Sequence, residues 1–376
     1  MIVHYLKIAL RNIFKDKLYS LINLLGLSIA IACCFLLIFW IKFELSYEDC
    51  HQNAGRIYKV LKVEQRADGL HKSDCIGPAI ANQLKQAFPE IEAATVLSHE
   101  QLSFTKLDNK DDESIFTDYT NALPDYLDIF TYEYIEGSKE NVLKNRGVVM
   151  SEEAAKKFFG KESAIGKTVC FGETKFNVQA VVRIPQNTQI RFDILDPFKS
   201  HNNGFHYILV KENAHFSKEK QRLLADFLGT TRETKDKLYF QELKDIHLYS
   251  PKELVYNNEW QTYGDLKQIF LFSFVALLIL IIAIINYVNT SVARAMSRMR
   301  EVGVRKVTGS TQKQLILRFL SDAFIISAAS IVLAIIVSKS LFPEFSILMG
   351  NQTIFYIDFN TILIALAVCL FITLLS

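Results

Sequence analysis

The 376-residue chain is 50% apolar and carries 42 Lys and Arg against 40 Asp and Glu, a net charge of +2. This near-balance excludes bulk electrostatic attraction to nucleic acid, and the length alone would accommodate two ordinary domains. The average hides a segregation: no residue between Lys17 and Lys42, and none between Lys267 and Arg294, is charged.

Residues 1–16 place His4, Lys7, Arg11 and Lys15 on one helical stripe, with Ile2, Leu6, Ile13 and Phe14 away from it. The pattern fits a cytoplasmic amphipathic helix lying on the inner membrane face, and a plain extension of the next segment fits it too. Residues 17–42 are expected to form the first membrane span, because at about 1.5 Å per residue the uncharged stretch exceeds a hydrocarbon core of roughly 30 Å. Its apolar run is too long for a cleaved signal peptide. Within it Gly26, Ala30 and Cys34 repeat at four-residue spacing, a ridge of small residues that lets another helix approach closely.

Residues 43–265 contain no long apolar run and read as one soluble insertion of α+β type, in two subdomains. Ile57 to Glu64, Gly147 to Met150, Lys167 to Ile184, Phe205 to Val210 and Leu238 to Leu248 have strand character. Pro78 to Phe88, Ser151 to Phe159 and Ser217 to Leu228 read as helices, with Ser151 as an N-cap. The stretch GKESAIGKT, Gly160 to Thr168, imitates a phosphate-binding loop, but five residues rather than four separate its glycines. It also has a helix before it and a strand after it, the reverse of a phosphate-binding context, so Gly160 reads as a helix C-cap and Gly166 as a turn residue. His201, His206 and His215 lack metal-ligand spacing, and no nucleophile with its base is visible. No catalytic residue, metal site or cofactor is therefore assigned, and the chain is not read as an enzyme. Cys50, Cys75 and Cys170 are an odd number outside the spans; one disulfide with one free thiol and no disulfide at all both fit.

Residues 266–293 form the second span. Near its end Asn286, Asn289 and Thr290 share a face, either bonding across a helix interface or meeting water at the membrane boundary. The loop 294–313 is strongly basic: Arg294, Arg298, Arg300, Arg305, Lys306 and Lys313 stand against Glu301 alone. By the positive-inside rule it stays in the cytoplasm. It reads as a short charged helix, a turn at Thr308, Gly309 and Ser310, and a capping box of Thr311 with Gln314. Charge alone fits both contact with lipid phosphates and contact with a partner. Residues 314–342 form a third span that Pro343 is expected to stop, with Arg318 and Asp322 one turn apart. A short extracytoplasmic loop, 343–358, leads to a fourth span, 359–376, expected to be incomplete. The fold class is thus an α-helical transmembrane bundle of four spans, the last truncated, with a large α+β extracytoplasmic domain between spans 1 and 2.

Five stretches carry a family resemblance: FELSYEDCHQNAGRIYKV (Phe43 to Val60), VVMSEEAAKKFFGKESAIGKTV (Val148 to Val169), RIPQNTQIRFDIL (Arg183 to Leu195), KDIHLYS (Lys244 to Ser250) and REVGVRKVTGSTQKQLI (Arg300 to Ile316). Through them the chain resembles the MacB/FtsX-type permeases, the membrane subunits of ABC transporters that work by mechanotransmission. The last stretch resembles the family's coupling-helix loop, R-E-x-G-x-R-K-x-x-G-A/S. The resemblance implies that Arg300, Glu301, Gly303, Arg305, Lys306 and Gly309 are coupling residues that dock on a separate cytoplasmic ABC ATPase dimer. It further implies a second permease unit or a homodimer, contact with membrane lipid, a bacterial inner-membrane location with a cytoplasmic N-terminus, and 43–265 in the periplasm. Cargo classes in such permeases include peptides, antibiotics and lipoproteins, and some members regulate hydrolases; the sequence does not choose among them. A membrane-anchored sensor or scaffold with a ligand-binding ectodomain and no ATPase is the alternative from another class.

Overall fold

The structure is a computed structural model that describes residues 17–66, 69–77, 79–106, 114–198, 203–212, 214, 216, 221, 237–250, 263–297, 299–308, 311–349, 355 and 359–375. The amphipathic segment 1–16, the helix expected at Ser217 to Leu228 and Pro78 lie outside them. Two compact units emerge: Ser46–Asp265, and the helices before and after it. The first helix, α1 (Lys17–Leu45), is followed by the α+β unit. In chain order this holds β1 (Ile57–Arg66), β2 (Gly69–Ser73), β3 (Cys75–Ile76), α2 (Ile80–Ala87), β4 (Ile91–Lys106), β5 (Ile115–Ala122), α3 (Tyr126–Ile129), β6 (Glu133–Gly137), α4 (Lys139–Asn145) and β7 (Val148–Ser151). It continues with α5 (Glu152–Phe159), β8 (Thr168–Phe171), β9 (Thr174–Arg183), β10 (Ile194–Asp196), β11 (Gly204–Val210), β12 (Lys237–Glu242) and α6 (Leu243–Tyr249).

The strands join one 12-stranded sheet with the path β12-β1-β11-β4-β5-β10-β7-β9-β6. Parallel pairing occurs at β5–β10 and β7–β9, and the other pairs are antiparallel. The unit is therefore one body with a continuous sheet rather than the two subdomains expected. Strand β11 explains why its sequence is a near-continuous apolar run, since all seven residues are buried. Phe205, Tyr207 and Leu209 enter one core with Tyr126 and Phe130, while Ile208 and Val210 enter another with Ile80 and Leu84 of α2. A third core gathers Phe104, Tyr119, Met150, Phe158 and Val178.

Two expected strands are corrected. Lys167 to Ile184 is a hairpin of β8 and β9 in which Phe171 faces Thr174 across a turn, with Gly172 at φ 55° in the left-handed region. Leu238 to Leu248 is half strand and half helix: Leu238 and Phe240 are buried at strand spacing, then Leu243, Ile246 and His247 at helical spacing. The phosphate-loop imitation sits between α5 and β8 as expected. Ser151 Oγ accepts from Ala154 N–H at 3.0 Å to open α5, and Gly160, at φ 64°, donates to Lys156 O at 2.9 Å to close it.

The chain then forms α7 (Leu266–Ser297), α8 (Met299–Val307), α9 (Gln312–Leu348) and α10 (Phe359–Leu375). Among the described residues, three helices, within α1, α7 and α9, are long and apolar enough to cross a membrane. The four-span expectation reduces to these three and a shorter apolar helix, α10, whose 17 residues reach about 26 Å. Leu27, Ile31 and Phe35 of α1 pack with Ile326, Ile331 and Ala334 of α9, Tyr287 of α7 and Ile372 of α10. Of the ridge expected on α1, Cys34 is buried and donates to Ala276 O of α7 at 3.3 Å, while the more regular small-residue ridge lies on α9. Ser330, Ala334 and Ser338 are fully buried at four-residue spacing, and Ser338 Oγ donates to Ala32 O of α1 at 3.3 Å. Gly26, by contrast, is exposed with open space where a Cβ would stand. Thr290 bonds back to Asn286 O at 2.6 Å within its own helix, and both asparagines of that face are exposed. Pro343 does not stop α9, which runs on to Leu348. One lost backbone bond near a helix end is offset by aromatic packing on both sides of the proline, where Phe342 and Phe345 meet Phe39 and Phe355.

Candidate coupling site

Between α7 and α9 the backbone makes a separate nine-residue helix, α8, MREVGVRKV. Thr308 N–H closes it on Val304 O at 3.0 Å. The next helix opens on the capping arrangement read from sequence: Thr311 N–H donates to Gln314 Oε1 at 3.0 Å. Arg300, Glu301, Gly303, Arg305 and Lys306 all fall within α8, and Gly309 lies outside the described residues. Five of the six predicted coupling positions are thus brought onto one short helix.

Helical spacing divides α8 into two sides. Positions 301 and 305 fall on one side, and Met299, Gly303 and Val307 form a strip on the other, flanked by positions 306 and 300, with Val304 beyond 300. The strip is uncovered, as is Val304: Met299 is 66% exposed, Val304 61% and Val307 89%. A Cβ added at Gly303 would meet no atom within 4 Å. An exposed apolar strip on a charged nine-residue helix is costly in water unless a partner covers it. Reading the loop for charge missed these apolar residues; the recurrence of Met299, Gly303 and Val307 at four-residue spacing was the available signal.

In the α+β unit a cleft of about 170 Å³ is lined by Asp118, Ser151, Glu152, Lys157, Arg183 and Asp193, among others. Several of its charges are already paired. Arg183 Nε donates to Glu152 Oε2 at 2.9 Å and its Nη1 to Glu133 Oε2 at 3.0 Å. Hydrogen bonds from Lys156 and then Arg183 hold the Glu152 carboxyl below its ordinary range. At well under the roughly 300–1,000 Å³ of drug-sized sites, this cleft does not present itself as a cargo pocket.

Residues 20–221 match the family profile of the MacB-like periplasmic core domain, and residues 273–376 that of the FtsX-like permease C-terminal region. The chain is 25% identical over 191 residues to the macrolide export ATP-binding/permease protein MacB of Neisseria gonorrhoeae, covering 48% of this chain and 28% of that protein. It is 27% identical over 199 residues to the protein of the same name in Aggregatibacter actinomycetemcomitans, covering 52% and 30%. The chain spans less than a third of the length of these curated relatives. Among solved structures, the periplasmic region of MacB from Actinobacillus actinomycetemcomitans aligns at 17% identity and TM-score 0.40, covering 51% of this chain and 91% of that one. A domain of a putative permease from Porphyromonas gingivalis aligns at 19% identity and TM-score 0.42, covering 51% and 92%.

Proposed function

We propose, on the premise that this chain belongs to the MacB/FtsX-type permeases, that it is the membrane subunit of an ABC transporter and works by mechanotransmission. A cytoplasmic ATPase dimer docks on α8, and ATP-driven closure moves that helix. The spans pass the movement to the domain at Ser46–Asp265, which acts outside the inner membrane. The observation that carries this reading is the exposed strip of α8 between two helices of spanning length. Gly303 allows a partner's backbone to come close, and the charged side offers register and specificity. Two coupling helices are required by an ATPase dimer, so the chain pairs with a copy of itself or with a second permease unit. The excess of Lys and Arg in the loop 294–313 supports a cytoplasmic α8, with the N-terminus on the same side. Cargo belongs to the peptide, antibiotic or lipoprotein classes, or the outer domain controls a hydrolase.

The test is reconstitution. The detergent-solubilised chain is co-purified with its candidate ATPase and ATP turnover is measured with Glu301→Lys and Arg305→Glu. Both variants are expected to abolish stimulation of turnover while the outer domain keeps its protease resistance. Undiminished binding and stimulation in both would contradict the docking assignment and leave the sensor reading in its place.

A further inference from the structure

Three residues after α1 ends, the chain makes a tight turn whose side chains converge in the interior. Asp49 N–H bonds Ser46 O, and His51 N–H bonds Glu48 O, both at 3.2 Å. Glu48 sits at φ 65°, a left-handed conformation that costs a non-glycine residue about 1–2 kcal/mol. Such an outlier persists only where surrounding structure holds it, and it marks functional positions more often than chance. Here it is held by Glu48 N–H donating to Asn187 O at 2.8 Å. The result is that Glu48, Cys50 and His51 each aim one donor atom at a common point, the three lying within 4.8 Å of one another. Spacing along the sequence showed no metal pattern, because two of the three are adjacent and it is the strained turn that gathers them.

We infer that Glu48, Cys50 and His51 form a binding site for a divalent cation of the zinc class, with one coordination position left for water. A tetrahedral ion with bonds of about 2.0–2.3 Å sets its ligand atoms roughly 3.3–3.8 Å apart. His51 Nε2 and Glu48 Oε2 already stand 3.4 Å apart. The Cys50 thiol stands within 4.8 Å of both of those atoms, and drawing it in to ligand distance is the adjustment the site requires. Thiolate, imidazole and carboxylate together favour zinc over calcium or magnesium, which prefer all-oxygen sites.

The supporting shell is also in place. Glu48 Oε2 accepts from Thr188 Oγ1 at 2.6 Å, and Oε1 accepts from Gln189 N–H at 2.7 Å. His51 Nδ1 faces both the N–H of Thr131, at 3.1 Å, and its carbonyl, at 3.2 Å. In the neutral ring that carries its proton on Nε2, Nδ1 accepts from the N–H. A metal on Nε2 would put the ring proton on Nδ1, which then donates to the carbonyl and gives up the bond from the Thr131 N–H. Glu48 and His51 are buried at 0% and 2% exposure, and Cys50 is half-buried, which leaves an approach on the thiol side.

The test uses the full chain in detergent, purified on a tag without histidine and stripped with a chelator. Cobalt is added as a spectroscopic probe, and zinc is then used to displace it. Stoichiometric uptake with a thiolate-to-cobalt charge-transfer band and tetrahedral visible bands is expected. Cys50→Ser is expected to abolish the charge-transfer band, and Thr188→Val, which removes the hydroxyl bonded to Glu48 Oε2 and 3.3 Å from His51 Nε2, to weaken zinc binding about 10–100-fold. No stoichiometric zinc uptake by the unaltered chain would overturn the inference. So would a charge-transfer band that survives Cys50→Ser, because the thiolate would then come from another cysteine.

Discussion

Removing the acid from the buried Lys59–Asp74 pair is expected to unfold the outer domain far more readily than an ordinary surface change. Lys59 Nζ lies 2.9 Å from Asp74 Oδ2, with side-chain exposures of 1% and 0%. The ammonium also stands 5.1 Å above the ring of Phe205. Burial pushes the lysine pKa down, and the charge and hydrogen bond of Asp74 pull it back up. Asp74→Ala leaves a buried cation without its counter-ion, which costs about 3–5 kcal/mol. With a urea dependence of about 2–3 kcal/mol per molar for a domain of this size, the unfolding midpoint drops by roughly 1–2 M. The double variant Lys59→Met with Asp74→Leu removes both charges and is expected to regain most of the loss. Pulse proteolysis of the solubilised chain across a urea series reads the domain directly. A single-variant cost under about 1 kcal/mol, or a double variant no better than the single, would refute the reasoning.

Acid is expected to weaken the same domain through His206. Burial holds its ring down to about 4, against an ordinary 6.5, and Nε2–H donates to Ile76 O at 3.1 Å. The unfolded chain takes up a proton between those values and the folded chain does not. Stability is therefore full above about pH 6.5 and falls by roughly 3 kcal/mol as pH drops to 4. His206→Gln should flatten much of that slope in urea midpoints measured from pH 7 to 4, with His99, also lowered by burial, supplying a remainder. Gly204→Ala on β11 is expected to cost about 1–3 kcal/mol, because its Cβ would stand 2.4 Å from Leu97 O and 2.8 Å from Val96 Cγ2 on β4. The same proteolysis assay checks it, and a midpoint equal to that of the unaltered chain would contradict the packing.

Where hydrophobic periodicity was strong, the fold was legible in the residues. The spans at α1, α7 and α9, the buried run of β11 and the capped helix α5 all follow from spacing and caps. The hairpin of β4 and β5 was not seen, because its buried positions, on both faces, include Thr95, Thr117, Thr120 and Asn121, which carry no apolar alternation. The switch from strand to helix at Leu243 went unread for a related reason: both halves bury apolar residues, and only the change of period separates them. On α9 the aromatic cluster of Phe342, Phe345 and Phe39 overrode a proline that local propensity treats as a stop. The charges of α8 were visible in composition, while its apolar strip became apparent only once Met299 and Val307 proved uncovered.

Gly303 offers the most direct test that α8 is a docking element. Nothing in its own chain lies within 4 Å of a Cβ built there, and an exposed helical glycine replaced by a better helix former gains about 1 kcal/mol. Gly303→Leu should thus leave the fold intact or firmer and harm only a surface that must approach closely. Stimulation of the partner's ATP turnover by the Gly303→Leu chain is expected to fall at least tenfold, a loss of about 1.4 kcal/mol of coupling, with thermal stability unchanged. Stimulation equal to that of the unaltered chain would contradict the assignment of α8 as the place where the ATPase docks.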